Sequence, residues 1–151
     1  MLTRINGCEL QWRNQISVQA GAPGCHSITT QIQEALKEVL PQCSTGTLHI
    51  FIKHTSASVG IGAAASAVGG STEREGSLGT LLESVVPRAW SRNLFEHTME
   101  GDDDMPAHVK STLIGCGITV PDREGKLMLL QDQEVLLCEH RYYSIVLIIS
   151  N

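Results

Sequence analysis

The hydrophobic and polar positions along this chain change period several times, and each change marks an element. Residues 47–53 alternate strictly, with Leu48, Ile50 and Ile52 on one side and His49, Phe51 and Lys53 on the other, the period-2 pattern of a half-buried strand. Upstream, Ile28, Ile32, Leu36 and the pair Val39 and Leu40 recur at helical spacing until Pro41, which predicts an amphipathic helix over 27–40. Residues 8–18 read as an opening strand closed by the turn-forming run Gly21-Ala-Pro-Gly24. Leu78, Leu81, Leu82, Val85 and Val86 predict a second helix that stops before Pro87. A short third helix is expected from Asp104, as its N-cap, through Pro106 in the first turn to Leu113. Strands over 118–120, 126–130, 134–139 and 143–150 complete the order, the first two joined by a turn at 122–125. Hairpins in place of regular βαβ alternation predict one α+β domain spanning residues 1–151, with a mostly antiparallel sheet and two to three helices.

Composition narrows the function classes. Hydrophobic residues make up 42% of the 151 and charged residues 18%, enough to bury a core and too little charge for disorder. Aromatics are only 4% and the formal charge is −5, which excludes a stacking platform for nucleic acid and a basic surface for nucleic acid or anionic membrane. The apolar run at 145–149 falls far short of the roughly 20 residues that span a bilayer. The first residues carry no apolar stretch of signal-peptide length. Five cysteines at 8, 25, 43, 116 and 138, odd in number and without a C-x-x-C pair, argue for reduced, buried thiols in a cytoplasmic protein and against a disulfide framework. Residues 60–79 hold six of the 14 glycines, either as a flexible loop or as one that cradles a ligand; neither G-x-x-x-x-G-K nor G-x-G-x-x-G occurs.

Candidate chemistry gathers at element ends. His54 follows the alternating strand, His97 and His108 flank the acidic run Asp102-Asp103-Asp104, and His140 precedes Arg141. An imidazole that titrates near neutrality suits metal ligation or proton transfer, although no H-E-x-x-H spacing is present. The acidic run has two readings, a hard-cation site or a helix cap complementing the dipole. Lys53, Lys110 and Arg141 lie near histidines, a combination that an anionic or phosphorylated ligand requires. Ser56 stands two residues from His54, too near in sequence to imply a triad.

Three blocks together carry a resemblance: Gly46-Thr-Leu-His-Ile-Phe-Ile-Lys-His-Thr-Ser-Ala-Ser58, Glu96-His-Thr-Met-Glu-Gly-Asp-Asp-Asp-Met-Pro-Ala-His-Val-Lys-Ser111 and Leu137-Cys-Glu-His-Arg141. With the weaker Gly115-Cys-Gly-Ile-Thr-Val-Pro121, they resemble the YjbQ family and stand in that family's order. The resemblance implies a small α+β domain assembling as a homotrimer, cytoplasmic, with weak thiamine-phosphate-synthase-like transferase activity that joins a pyrimidine methyl pyrophosphate to a thiazole phosphate. It also implies catalytic roles for His54, Ser56, His97, His108 and Glu139, ligand contacts at Lys110, Gln133 and Arg141, and a divalent metal (Mg or Zn) held by His54, His97 and His108. The family's polar Asn-Glu-Asn stretch is replaced here by Gly60-Ile-Gly-Ala-Ala-Ala-Ser66, and its Gly-Thr-Trp-Gln by Leu130-Gln-Asp-Gln133. Loss of those polar groups opens a second reading, a catalytically reduced trimeric binding or scaffold protein that keeps a small-anion pocket.

Overall fold

The computed structural model describes residues 3–5, 9–20, 22–64, 78–96, 100–141 and 144–150. Its elements run β1 (Thr3–Ile5), β2 (Glu9–Gln11), β3 (Arg13–Gln19), β4 (Gly24–Ser27), α1 (Thr29–Leu36), β5 (Thr45–Ile52), β6 (Ala57–Ala63), α2 (Leu78–Val85), α3 (Ser91–Leu94), α4 (Asp104–Ile114), β7 (Gly117–Arg123), β8 (Lys126–Leu127), β9 (Gln133–Glu139) and β10 (Ser144–Ser150). Every pairing among them is antiparallel. A hairpin joins β1 and β2, a five-stranded sheet runs β3-β10-β5-β7-β8, and a three-stranded sheet runs β4-β9-β6. The α+β expectation holds.

The core forms where the inward rows of both sheets meet α1. Leu48, Ile50 and Ile52 of β5, Val120 of β7 and Ile149 of β10 pack with Ile32 and Leu36 of α1 and with Val59, Val135 and Leu137 of the smaller sheet. The alternation on β5 is realised in full: its even-numbered apolar residues are buried and His49 and Phe51 face outward. Helix α1 is fixed to β9 by two bonds, from the Ile28 N–H to the Val135 carbonyl (2.9 Å) and from the Val135 N–H to the Thr29 hydroxyl (2.9 Å).

Several boundaries differ from the sequence reading. The predicted helix over 27–40 stops at Leu36, and Pro41 sits in a separate 3-10 turn at Leu40–Gln42. The opening strand is broken at Trp12, a buried residue between β2 and β3, while Cys8 lies outside the described residues. The start of the Gly-rich stretch is no loop: residues 57–63 form β6, because pairing along β9 supplies the backbone partners that its glycines could not secure through local propensity. Residues 65–77 lie outside the described residues. The cysteine expectation is also corrected, since Cys25 on β4 and Cys138 on β9 are direct partners in register, 4.0 Å apart at Cα, and form a disulfide. Strand register across a sequence separation of 113 cannot be read from spacing.

Candidate functional site

Three segments converge at one end of the smaller sheet: the link 53–56 between β5 and β6, the first half of α4, and residues 139–141 at the end of β9. The convergence follows from pairing. Glu139 is the register partner of Ala57, and the His140 N–H donates to the Ser56 carbonyl at 3.2 Å. Helix α4 packs on β6, with the Ser111 hydroxyl donating to the Ala57 carbonyl at 2.6 Å.

His108 stands between the link and the acidic run. Its Nδ1 lies 3.0 Å from the Thr55 carbonyl, which can only accept, so Nδ1 carries a proton. Ser56 Oγ is 3.2 Å from the same nitrogen, and Asp104 Oδ1 is 3.3 Å from Nε2. This places serine, histidine and aspartate in a row without activating the serine. A nitrogen already donating to a carbonyl cannot take the hydroxyl's proton, so Ser56 is a hydrogen-bonding group in this geometry and not an activated nucleophile. His54 accepts the Ser56 N–H on Nδ1 at 3.0 Å. Burial, then the neighbouring charges of His108 and Arg141, hold its pKa below the ordinary value, so the neutral ring keeps its proton on Nε2.

Asp104 is not the N-cap that its position suggested. Asp103 takes that place without a side-chain capping bond, and Asp104 turns inward, fully buried. There it accepts from Arg141 Nη1. Arg141, itself buried, also donates from Nη2 to the Glu100 carbonyl at 2.8 Å and lies 3.4 Å from Asp103 Oδ2 and 3.5 Å from Glu100 Oε2. The acidic run therefore surrounds an internal guanidinium.

Glu139 is buried, and its Oε1 accepts the Arg141 N–H at 2.8 Å while Oε2 has no hydrogen-bond partner. Burial raises its pKa to about 7 against the opposing backbone bonds and the Arg141 charge. His140 is buried beside it, 3.0 Å from Ser58 Oγ, and burial followed by the Lys110 charge lowers its pKa to about 4, so it is neutral near pH 7.

Of the expected site residues, the fold brings together His54, Ser56, His108, Glu139 and Arg141. His97 lies outside the described residues. Gln133 is at the far end of β9, six residues from Glu139 and so roughly 20 Å away along the strand; its Oε1 accepts the Leu130 N–H at 3.0 Å. Lys110 leaves the cluster as well. Two positions beyond His108 on α4, it projects about 200° around the helix and donates to Glu83 at 2.5 Å. Of the expected metal set, His97 lies outside the described residues; His54 Nδ1 and both His108 nitrogens face protein partners, and among the described residues no group of three or more His, Cys, Asp or Glu could hold a metal ion. The roles of Thr55 and Glu83 carried no sequence signal, since one acts through its backbone carbonyl and the other through a contact 27 residues away.

Fold and site together define a small antiparallel α+β domain with a cluster of His54, Ser56 and His108 at the end of its smaller sheet. The family model described as "UPF0047 protein YjbQ-like" matches residues 14–151, and the chain belongs to that family. It is 35% identical over 133 residues to the UPF0047 protein YjbQ of Salmonella typhimurium, covering 87% of this chain and 89% of that one. It is 33% identical over 116 residues to a UPF0047 protein of Synechocystis, covering 77% and 73%. Among solved structures, a YbjQ-like protein of unknown function from Sulfolobus solfataricus shares the fold with a TM-score of 0.72 at 20% identity, over 93% of this chain and 97% of that one.

Proposed function

We propose that the cleft of His54, Ser56 and His108 binds a small phosphorylated ligand and supports a slow group transfer of the thiamine-phosphate-synthase type. The carrying observation is the proton fixed on His108 Nδ1 in a ring backed by the buried Asp104 carboxylate. In such a transfer the bond from the pyrimidine methylene carbon to the pyrophosphate oxygen breaks and its electrons leave with the oxygen. The thiazole nitrogen forms the new bond to that carbon. The His54 Nε2–H and the Ser56 hydroxyl are donors suited to a phosphate oxygen, and His108, held between the Thr55 carbonyl and Asp104, positions Ser56.

The test is pyrophosphate release from the two thiamine precursors by wild type and His108→Ala. The reading expects slow release that falls by about 10²–10³-fold in the variant, the loss typical of displacing one positioned hydrogen-bond donor. Equal release from both proteins would refute it.

One observation favours a second reading, a binding protein without turnover: Arg141, a cation expected to meet phosphate, is held by Asp103, Asp104 and Glu100. On that reading, ligand stabilises the fold in a thermal-shift measurement while precursors stay intact. For either function we propose a homotrimer. Leu81 and Val85, four apart on α2 and more than half exposed, supply an apolar face that association would cover.

A further inference from the structure

On the other side of α4 from His108, a pocket of about 550 Å³ opens between α2, β4 and the end of β9. This volume lies within the roughly 300–1,000 Å³ of small-molecule clefts. Pro23, Cys25 and Leu82 give it apolar wall, Lys110, Arg88 and Glu83 give it charge, and Glu139, its pKa raised to about 7 by burial, adds a carboxyl that is largely protonated in mildly acid solution.

The charges are unbalanced. Glu83 is the shared partner of both cations: its Oε2 takes Lys110 Nζ at 2.5 Å and lies 3.7 Å from Arg88 Nε, while its Oε1 accepts the Arg88 N–H at 2.8 Å. Burial pushes the Glu83 carboxyl up, but the bonds and charges of Lys110 and Arg88 outweigh it and hold its pKa below the ordinary value. The Lys110 side chain is only 7% exposed and its ammonium is held by the Glu83 carboxylate, whereas Glu83 itself is 42% exposed and can turn outward to water. His140 in the wall is neutral near pH 7. One carboxylate reached by two side-chain cations and a backbone N–H has the layout of a bound oxyanion.

We propose that this pocket is an anion site for a small organic molecule bearing one carboxylate or phosphate group, and that Glu83 is the internal surrogate holding the anion's place. The incoming group displaces the Glu83 side chain, takes the Lys110 ammonium and the Arg88 guanidinium and N–H, and lays its carbon body against Pro23 and Leu82. The site does not rest on the function proposed for the histidine cleft, and His108→Ala leaves it intact.

The surrogate role makes a prediction opposite to that of an ordinary ion pair. Titration calorimetry on the full chain, with inorganic phosphate and separately with acetate at constant ionic strength, measures the binding in wild type, Glu83→Gln and Arg88→Ala. Removing the competing carboxylate should tighten binding at least about tenfold in Glu83→Gln, and removing the exposed guanidinium should weaken it about as much in Arg88→Ala. Whichever probe binds more tightly names the ligand's acidic group. Binding that weakens or stays level in Glu83→Gln would overturn the proposal, as would absence of binding of either probe by wild type and Glu83→Gln alike. Circular dichroism on both variants, each altered at a partly exposed position, confirms that the comparison is made on folded protein.

Discussion

The most consequential single contact is the one between Asp104 and Arg141. Both side chains are buried, Asp104 with His108 as a further neighbour and Arg141 with Asp103 and Glu100. Arg141→Ala takes the guanidinium from a fully buried carboxylate and should cost about 3–5 kcal/mol of stability, read from urea unfolding. Arg141→Ala with Asp104→Ala should cost less than the two single losses added together, because the second change removes the stranded charge. Glu139 makes a pH-dependent prediction. Its folded pKa of about 7 lies above the ordinary 4.5, so the folded chain holds a proton that the unfolded chain releases. Stability is therefore lost as pH rises from about 4.5 to 7, by on the order of 3 kcal/mol in all. His140 acts in the opposite sense: with its pKa lowered to about 4, it costs stability as pH falls from 6.5 to 4. The two effects offset each other in mildly acid solution, and Glu139→Gln should gain on wild type between pH 5 and 8. A parallel pair of pH profiles would show that Glu139 is ionised throughout.

At the scale of elements, the hairpin between β7 and β8 turns on Glu124 and Gly125, at φ of 52° and 76°. Positive φ at both central residues is the type I′ geometry that matches strand twist, and asparagine fits its first position better than glutamate does. Glu124→Asn should raise stability by about 0.5–1 kcal/mol in denaturant unfolding. A Cβ at Gly125 would stand 3.2 Å from Pro41 Cα, so alanine there combines strain with crowding. The disulfide between β4 and β9 ties a four-residue edge strand to the middle strand of its sheet. Thiol titration of the unfolded chain should find Cys43 and Cys116 reactive without reductant and Cys25 and Cys138 reactive only with it. Reduction should cost roughly 2–4 kcal/mol. These elements also show where sequence reading succeeds. The strand at β5 was legible because one face is core and the other faces outward, and the turn at 122–125 because Gly125 announces it. The Gly-rich start of β6 was not, since its strand character comes from β9, more than 70 residues away.

For the whole molecule, the histidine cluster was partly legible. His54, Ser56 and His108 sit at element ends, where side chains are presented, and the fold does bring them together. Their working states were not legible, because the proton on His108 is set by the carbonyl of Thr55 and the fate of Arg141 by three acids packed around it. The Lys110 pocket was hidden for a similar reason: α2, α4 and β4 are far apart in sequence and meet only through tertiary packing. Light scattering should give the mass of a trimer for wild type. Leu81→Asp with Val85→Asp should reduce it to that of a monomer if the exposed face of α2 joins subunits.

Strand β9 carries Cys138 and Glu139, and the chain continues directly into His140 and Arg141: a bridge, a buried acid, a neutral ring and an internal cation at four successive positions. Successive residues of a strand point to opposite faces, so a slip of one position would exchange all four environments at once. Point changes elsewhere on this strand alter packing by degrees, but a single deletion within 133–137 would break the bridge, strand Asp104 and undo the cleft together. Length variation is therefore prohibited in β9, which makes the frame of that strand, more than any one of its side chains, a part of the chain with little freedom to change.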